Sequence, residues 1–326
     1  MAEPRLALPA LDRGSVVTVG TFDGVHRGHQ DVLARLVARA AQRGLPSVLV
    51  TFDPHPLEVV NPQAAPALLT VGDEKLEVIA ESGIDHAIIV PFTPAFSRLS
   101  AEQFVVDVLE ARYGMHELLI GHDHGFGRGR SGDTEVLRSL GARRGFRVEV
   151  VPPVGDPDGR AISSTAIRRA VAGGDLERAA HGLGRAYSVS GRVVEGAQRG
   201  RELGDRTLYL APPSPRKLLP PEGVYAIRAQ THLGAFGGMM NLGPRPTFGE
   251  AERALEVHLF DAAGDWYGRT VRVDFVARLR DTKRFEGAAA LVEQLRRDEE
   301  AARRALTALS PGRTFPSSAA TFTPHQ

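Results

Sequence analysis

Apolar residues change their period along this chain of 326 residues. "SVVTVG" (15–20) is a short, nearly continuous apolar run, the pattern of a buried strand. Between His29 and Arg43, Val32, Leu33, Leu36, Val37 and Ala40 recur at helical spacing. "SVLVTF" (47–52), "HAIIVPF" (86–92), "ELLIG" (117–121) and residues 146–151 read as further strands. "SAEQFVVDVLEARYG" reads as a helix opened by Ser100, with Gln103 as its capping-box partner. "GDTEVLRSLGARRG" reads as another helix. Strand alternating with helix predicts an α/β fold: a parallel sheet with crossover helices.

After residue 160 the pattern shifts. "SSTAIRRAVAGGDLERAAHGLG" predicts short helices broken by Gly173 and Gly174. From about Arg185, "YSVSGRVVEG", "GVYAIRAQ", "ALEVHLF" and "TVRVDFVARL" alternate as strands between Gly- and Pro-rich turns, which predicts a small β-barrel. One amphipathic helix near 286–307 closes it, and "SPGRTFPSSAATFTPHQ" reads as a disordered tail. The expected division is 1–184, 185–308 and a tail over 309–326, with no internal repeat.

Composition narrows the classes. Hydrophobic residues make up 42%, enough for packed cores. Net charge is +1, so no global field calls for nucleic acid or a membrane surface. Of the 40 basic residues only Lys75, Lys217 and Lys283 are lysine, so a single arginine is weak evidence for phosphate binding. Cysteine is absent, which excludes disulfides and thiolate metal ligands. No apolar run nears the ~18 residues of a membrane span. The start, "MAEPRLALPALDRG", lacks the pattern of a signal peptide. The expectation is a soluble cytoplasmic protein, a monomer or weak oligomer, whose partners are small molecules.

The candidate chemistry begins at "VGTFDGVHRGHQ" (19–30). A strand, a Gly-containing turn and a helix build an anion site from free N–H groups and the positive end of the helix dipole. His26 falls in the turn and His29 in the first helical turn, where both can face one anion. Histidines in a turn are commonly just solvated, and with Asp23 these two could instead hold a metal. No His-Glu-x-x-His helix occurs, which argues against zinc hydrolase chemistry. "GRGRSG" (127–132) fits G-x-G-x-x-G, but the predicted strand before it ends too early for a dinucleotide turn. No G-x-x-x-x-G-K-[ST] occurs.

"GTFDGVHRGH" resembles the His-x-Gly-His signature of the nucleotidylyl transferases, Rossmann-like enzymes that transfer AMP or CMP units. "TFDPHP" (51–56), "GHDHGFGRGRSGD" (121–133) and "ISSTAIRRA" (162–170) follow in order, and together they resemble the adenylyltransferase module of bacterial riboflavin kinase/FAD synthetases. The resemblance implies that His26 and His29 are catalytic. It implies that Gly20, Thr21, Phe22, Asp23, Gly28, Asp123, Ser163, Ser164, Thr165 and Arg168 bind ATP. Phe52, Asp53, Pro54, His55 and Pro56 would then form the flavin edge. Two hydroxyls, free N–H groups and a guanidinium at a helix start suit phosphates, although a Ser or Thr there is also an ordinary cap. Thr21 departs from the family's Asn, and His124 stands where an aromatic such as Phe is usual.

Residues 187–306 resemble the riboflavin kinase module, a six-stranded barrel with a terminal helix. "SGRVVEGAQRGRELG" matches its Gly-rich loop over ATP through Gly191, Gly196, Gly200 and Gly204. "NLGPRPTF" (241–248) and "LEVHLFD" (255–261) also match, and Glu256 is implied as the base for the ribityl 5′-hydroxyl. "GDRTLYL" departs from the family's Gly-Phe-Pro-Thr-Ala-Asn-Leu, whose Thr and Asn bind Mg²⁺ and ATP. Thr207 stays as ATP and Mg²⁺ ligand, but Arg206, Leu208 and Tyr209 replace Pro, Ala and Asn. A phenol is a poor hard-oxygen ligand, and a guanidinium repels a metal. The expectation is FAD synthesis from FMN and ATP, with a barrel whose kinase activity is damaged. The alternative is a fully bifunctional enzyme carrying riboflavin to FMN to FAD. A flavin sensor without turnover, or another acceptor such as phosphopantetheine, fits the motifs less well.

Overall fold

The computed structural model describes residues 14–122, 131–156, 158–194, 207–212, 214–244 and 253–308, together with 11, 125, 127 and 129. Its described residues divide into two compact units, one holding 14–66 and 75–162 and the other 67–74 and 163–308. The expected tail, Asp123, His124, Gly196, Gly200, Gly204 and Arg206 lie outside the described residues.

The first unit is built on five parallel strands: β1 (Ser15–Val19), β2 (Ser47–Asp53), β3 (His86–Pro91), β4 (Met115–Gly121) and β5 (Arg147–Val151). Their order in the sheet is β3-β2-β1-β4-β5. β1 is buried along its whole length, as its nearly continuous apolar run requires, and pairs in parallel with β2 and β4. Helix α1 (Arg27–Arg43) packs Val32, Leu33, Leu36 and Ala40 on the sheet and stops at Gly44, which takes φ +65°. Leu33 and Leu36 are fully buried, each contributing roughly 2 kcal/mol. Short helices α2 (Pro56–Val60) and α3 (Asp73–Ala80) follow β2. Ser100 and Gln103 form the expected capping box at α4 (Ala101–Gln103). That helix continues as a π-helix over Phe104–Glu110 and ends as α5 (Ala111–Tyr113). Helix α6 (Thr134–Arg144) links β4 to β5.

Strand order reverses between β1 and β4. In an open parallel sheet such a switch point opens a crevice at the carboxyl ends of the strands, where ligands bind. The loop carrying His26 leaves β1 there. Gly127, part of the dinucleotide-like pattern, has a different role. At φ +78° a Cβ would lie 2.6 Å from the Ala101 nitrogen, so this glycine allows close packing on α4.

The second unit opens with α7 (Ser164–Ala172) and α8 (Leu176–Leu183). Six antiparallel strands then close a barrel: β6 (Ser188–Val194), β7 (Thr207–Ala211), β8 (Gly223–Thr231), β9 (Gly234–Pro244), β10 (Arg253–Leu259) and β11 (Thr270–Arg280), in the order β10-β7-β6-β11-β8-β9. Tyr225, Ile227, Met240, Leu255, Val273 and Phe275 are buried, and Tyr225 meets Phe275 edge-on at 5.2 Å. Helix α9 (Ala288–Ala308) covers an outer face through Ala302, Leu295 and Leu306 against Ala226, Met239 and Phe260. Arg280 grips Asp298 of that helix through two nitrogens at 2.6 and 2.9 Å.

The eight residues 67–74 belong to this unit by their bonding. Leu68 bridges Lys217, and the Lys217 ammonium donates to the Leu69 carbonyl and to Glu74, both at 2.7 Å. Glu74 also accepts from the Ser190 backbone N–H at 2.5 Å. Glu74 and Lys217 are both buried.

Candidate active site

The loop leaving β1 is strained. Phe22 and Val25 take φ of +47° and +40°, and Gly24 takes +81°. A positive φ in a side-chain-bearing residue costs on the order of 1–3 kcal/mol. Burial of both side chains and a 2.9 Å bond from the Gln30 amide to the Val25 carbonyl offset it. The loop delivers His26 as the N-cap of α1, where its Nδ1 accepts from the His29 backbone N–H at 3.3 Å. That bond puts the ring's proton on Nε2. The His29 ring stacks on it at 3.7 Å and 17°, with Phe22 at 4.7 Å from His29. Gly28 makes the arrangement possible, since a Cβ there would sit 3.1 Å from the His26 ring and 3.9 Å from the Ile162 carbonyl.

His29 Nδ1 is sealed from solvent and has no hydrogen-bond partner among the described residues. Burial, then the charges of His26 and Lys75, hold the His29 pKa well below 6.5. The ring is therefore neutral at pH 7. Asp23 is buried in the same loop. Lys75, on α3, donates to the Thr51 hydroxyl at 2.6 Å, and Thr51 donates to the Thr21 carbonyl at 3.1 Å. Burial lowers the Lys75 pKa to about 8 against the opposing pull of Asp23 and Asp53.

The flavin edge expected at 52–56 has two parts. Phe52 joins a cluster at the ends of β2 and β3: its ring centroid lies 5.4 Å from Phe92, 5.9 Å from Phe96 and 6.4 Å from Phe104. Phe52, Phe92 and Phe96 are half-buried, offering aromatic surface to a flat ring. Asp53–Pro54 is a cis peptide, and His55 then caps α2, accepting from the Leu57 N–H at 3.2 Å with Pro56 as the first helical residue.

In the second unit, Ser163 is the N-cap of α7, its hydroxyl accepting from the Ala166 N–H at 3.2 Å. Ser164 and Thr165 form the first turn, and Arg168 lies one turn on. On the barrel, Glu256 stands between two strands, paired in register with Tyr209 on β7 and Asn241 on β9. The Asn241 amide donates to the Glu256 carboxylate at 3.2 Å. Thr207, two residues from Tyr209 on the same face, is half-buried.

The model of the FAD synthetase family matches residues 8–166, and that of riboflavin kinase matches 183–306. A bifunctional riboflavin kinase/FMN adenylyltransferase of Pseudomonas fluorescens is 40% identical over 292 residues, covering 89% of this chain and 93% of its own. The protein of that description from Escherichia coli K12 is 39% identical over 296 residues, covering 90% and 93%. The chain belongs to the bifunctional riboflavin kinase/FMN adenylyltransferase family. It is an enzyme, a nucleotidyltransferase. A solved structure described as a macrolide-efflux protein from Streptococcus pneumoniae shares the fold, with a TM-score of 0.80 and 31% identity over 92% of this chain and 96% of that one. No helix among the described residues is long and apolar enough to cross a membrane.

Membership in this family favours the bifunctional alternative over an adenylyltransferase with a disabled barrel. The family implies a magnesium ion. Among the described residues no three His, Cys, Asp or Glu side chains gather to hold a metal. The Thr207 hydroxyl and the Asn241 amide oxygen beside Glu256 are hard donors, which suits Mg²⁺ held largely by substrate phosphates. Sequence reading named the histidine pair and Glu256, and it missed Lys75, Asn241, Phe92, Phe96 and Phe104. For the three aromatics a signal was available in "PFTPAF" (91–96) and the apolar start of the next helix.

Proposed function

We propose that this chain is a bifunctional enzyme that phosphorylates riboflavin on its barrel and adenylylates FMN in its α/β unit. The stacked His26–His29 pair at the start of α1 carries the second assignment. In that step a phosphate oxygen of FMN attacks the α-phosphorus of ATP, the bond to the β-phosphate oxygen breaks, and pyrophosphate leaves. No side chain forms a bond. Imidazole N–H groups and the positive end of α1 stabilise charge growing on the α-phosphate, an effect worth roughly 3 kcal/mol per donor. Gly20, Thr21, Phe22, Asp23 and Gly28 shape the ATP side, and Ser164, Thr165 and Arg168 are assigned to the leaving pyrophosphate. The Phe52–Pro56 edge with Phe92 and Phe96 is assigned to the flavin ring.

On the barrel, Glu256 takes the proton of the ribityl 5′-hydroxyl as that oxygen attacks the γ-phosphorus of ATP, the bond to the β–γ bridging oxygen breaks, and ADP leaves. Asn241 holds its carboxylate in place. Thr207 and Asn241 are the oxygens assigned to magnesium, which when bound spreads the charge of the triphosphate. Tyr209 beside Glu256 favours a second reading, in which only adenylyl transfer survives.

Two incubations of the purified protein with ATP and Mg²⁺ separate the readings. The expected outcome is FAD from FMN, and both FMN and FAD from riboflavin. FAD from FMN with no turnover of riboflavin supports the second reading. No product from either flavin overturns both.

A further inference from the structure

Lys75 has no role in the steps above, although it stands beside the residues that carry them. Its ammonium is held by Thr51, the residue before Phe52, and Thr51 is tied in turn to the carbonyl of Thr21 in the strained loop. The titratable groups that act on or answer to it come from three elements: the carboxylates Asp23 of the loop and Asp53 at the end of β2, and the neutral His29 of α1. Lys75 thus lies where the nucleotide loop and the flavin edge meet within the first unit.

An ammonium has three N–H donors, and one neutral hydroxyl uses only one of them. A half-buried charge with a single hydrogen bond among the described residues is a costly arrangement. The negative charges of Asp23 and Asp53 favour its cationic form. Such a group is suited to an anionic acceptor that arrives with the substrate.

We propose that Lys75 is a further catalytic residue of adenylyl transfer, its ammonium taking a phosphoryl oxygen of bound ATP or FMN while Thr51 fixes its position. This rests on the adenylyl-transfer assignment made above. The lysine keeps its proton throughout and forms no bond to phosphorus. Its contribution is charge in a site partly closed to water. Because burial brings its pKa to about 8, that charge is lost as the pH rises past this value.

The test compares wild type, Lys75→Met and Lys75→Arg in FAD formation, in thermal unfolding, and in equilibrium binding of ATP and of FMN, each alone. Lys75→Met should lower kcat/KM for FAD formation about 100-fold and leave the unfolding temperature unchanged. Lys75→Arg should restore most of the rate. A rise in KM for FMN assigns the contact to the flavin phosphate, and a rise for ATP assigns it to the nucleotide. The wild-type kcat/KM should decline above about pH 8, a decline that Lys75→Arg lacks because a guanidinium stays charged. Wild-type kcat/KM in Lys75→Met overturns the proposal. So does a loss that comes with a lowered unfolding temperature and is not restored by arginine. If wild type itself forms no FAD, the adenylyl-transfer assignment falls. Lys75 is then decided by binding: equal affinities in wild type and Lys75→Met overturn it, and weaker binding of either ligand to Lys75→Met supports it.

Discussion

His29 shows how one side chain can serve both reactivity and stability. Its ring is neutral because burial, the neighbouring imidazole and Lys75 all oppose a proton. Replacing it with Asn keeps polarity but removes the stacked ring, and FAD formation should fall about 100-fold. The same substitution has a consequence for folding. The folded-state pKa lies below the unfolded value of 6.5, so the unfolded chain takes up the proton first. Wild type should lose stability as the pH falls through 6.5, and His29→Asn should lose less. Unfolding temperatures at neutral and acid pH check the sign. The histidine pair was legible because its spacing has a direct meaning at a strand–turn–helix junction. Lys75 was not, since one lysine makes no pattern and its partners come from three other elements. His55, expected on the flavin edge, also caps a five-residue helix through a ring nitrogen, a role its sequence context did not announce.

At the level of elements, legibility followed the apolar pattern. Each buried strand of the sheet and the α1 stripe could be read because their burial leaves unbroken or helically spaced apolar runs. β9 could not, since "GAFGGMMNLGP" is dense in glycine. There the neighbours impose it: a Cβ on Gly238 would collide with the His258 carbonyl of β10. The π-helical turn at Phe104–Glu110 also leaves no mark in residue periodicity. The hydroxyls opening α7 are separable by energetics. Ser163 is the cap, so Ser163→Ala should cost about 1 kcal/mol of stability. Ser164→Ala, inside the first turn, should cost within roughly 0.5 kcal/mol and act instead on ATP affinity. Denaturant titration of both variants, with KM for ATP, tells the two apart.

For the molecule as a whole, the change of apolar period marks where helices give way to barrel strands. It is silent about residues 67–74, because the groups they bond lie 116 to 150 positions downstream. The Glu74–Lys217 pair is sealed from water, and removing one partner of a buried pair costs about 3–5 kcal/mol. Glu74→Leu in the full chain should therefore be strongly destabilising. The double variant Glu74→Leu with Lys217→Met should recover most of the loss, since an apolar pair leaves no charge stranded. Thermal unfolding of the two variants measures the difference. A double variant no more stable than the single one would mean that the carboxylate serves chiefly the Ser190 backbone N–H, which it also accepts.

The detour of eight residues also limits how this architecture can be recombined. Grafting the barrel onto a new companion by cutting where helix gives way to strand would leave behind the carboxylate that neutralises Lys217. A viable transplant must bring the short segment along, or first exchange that lysine for something greasy.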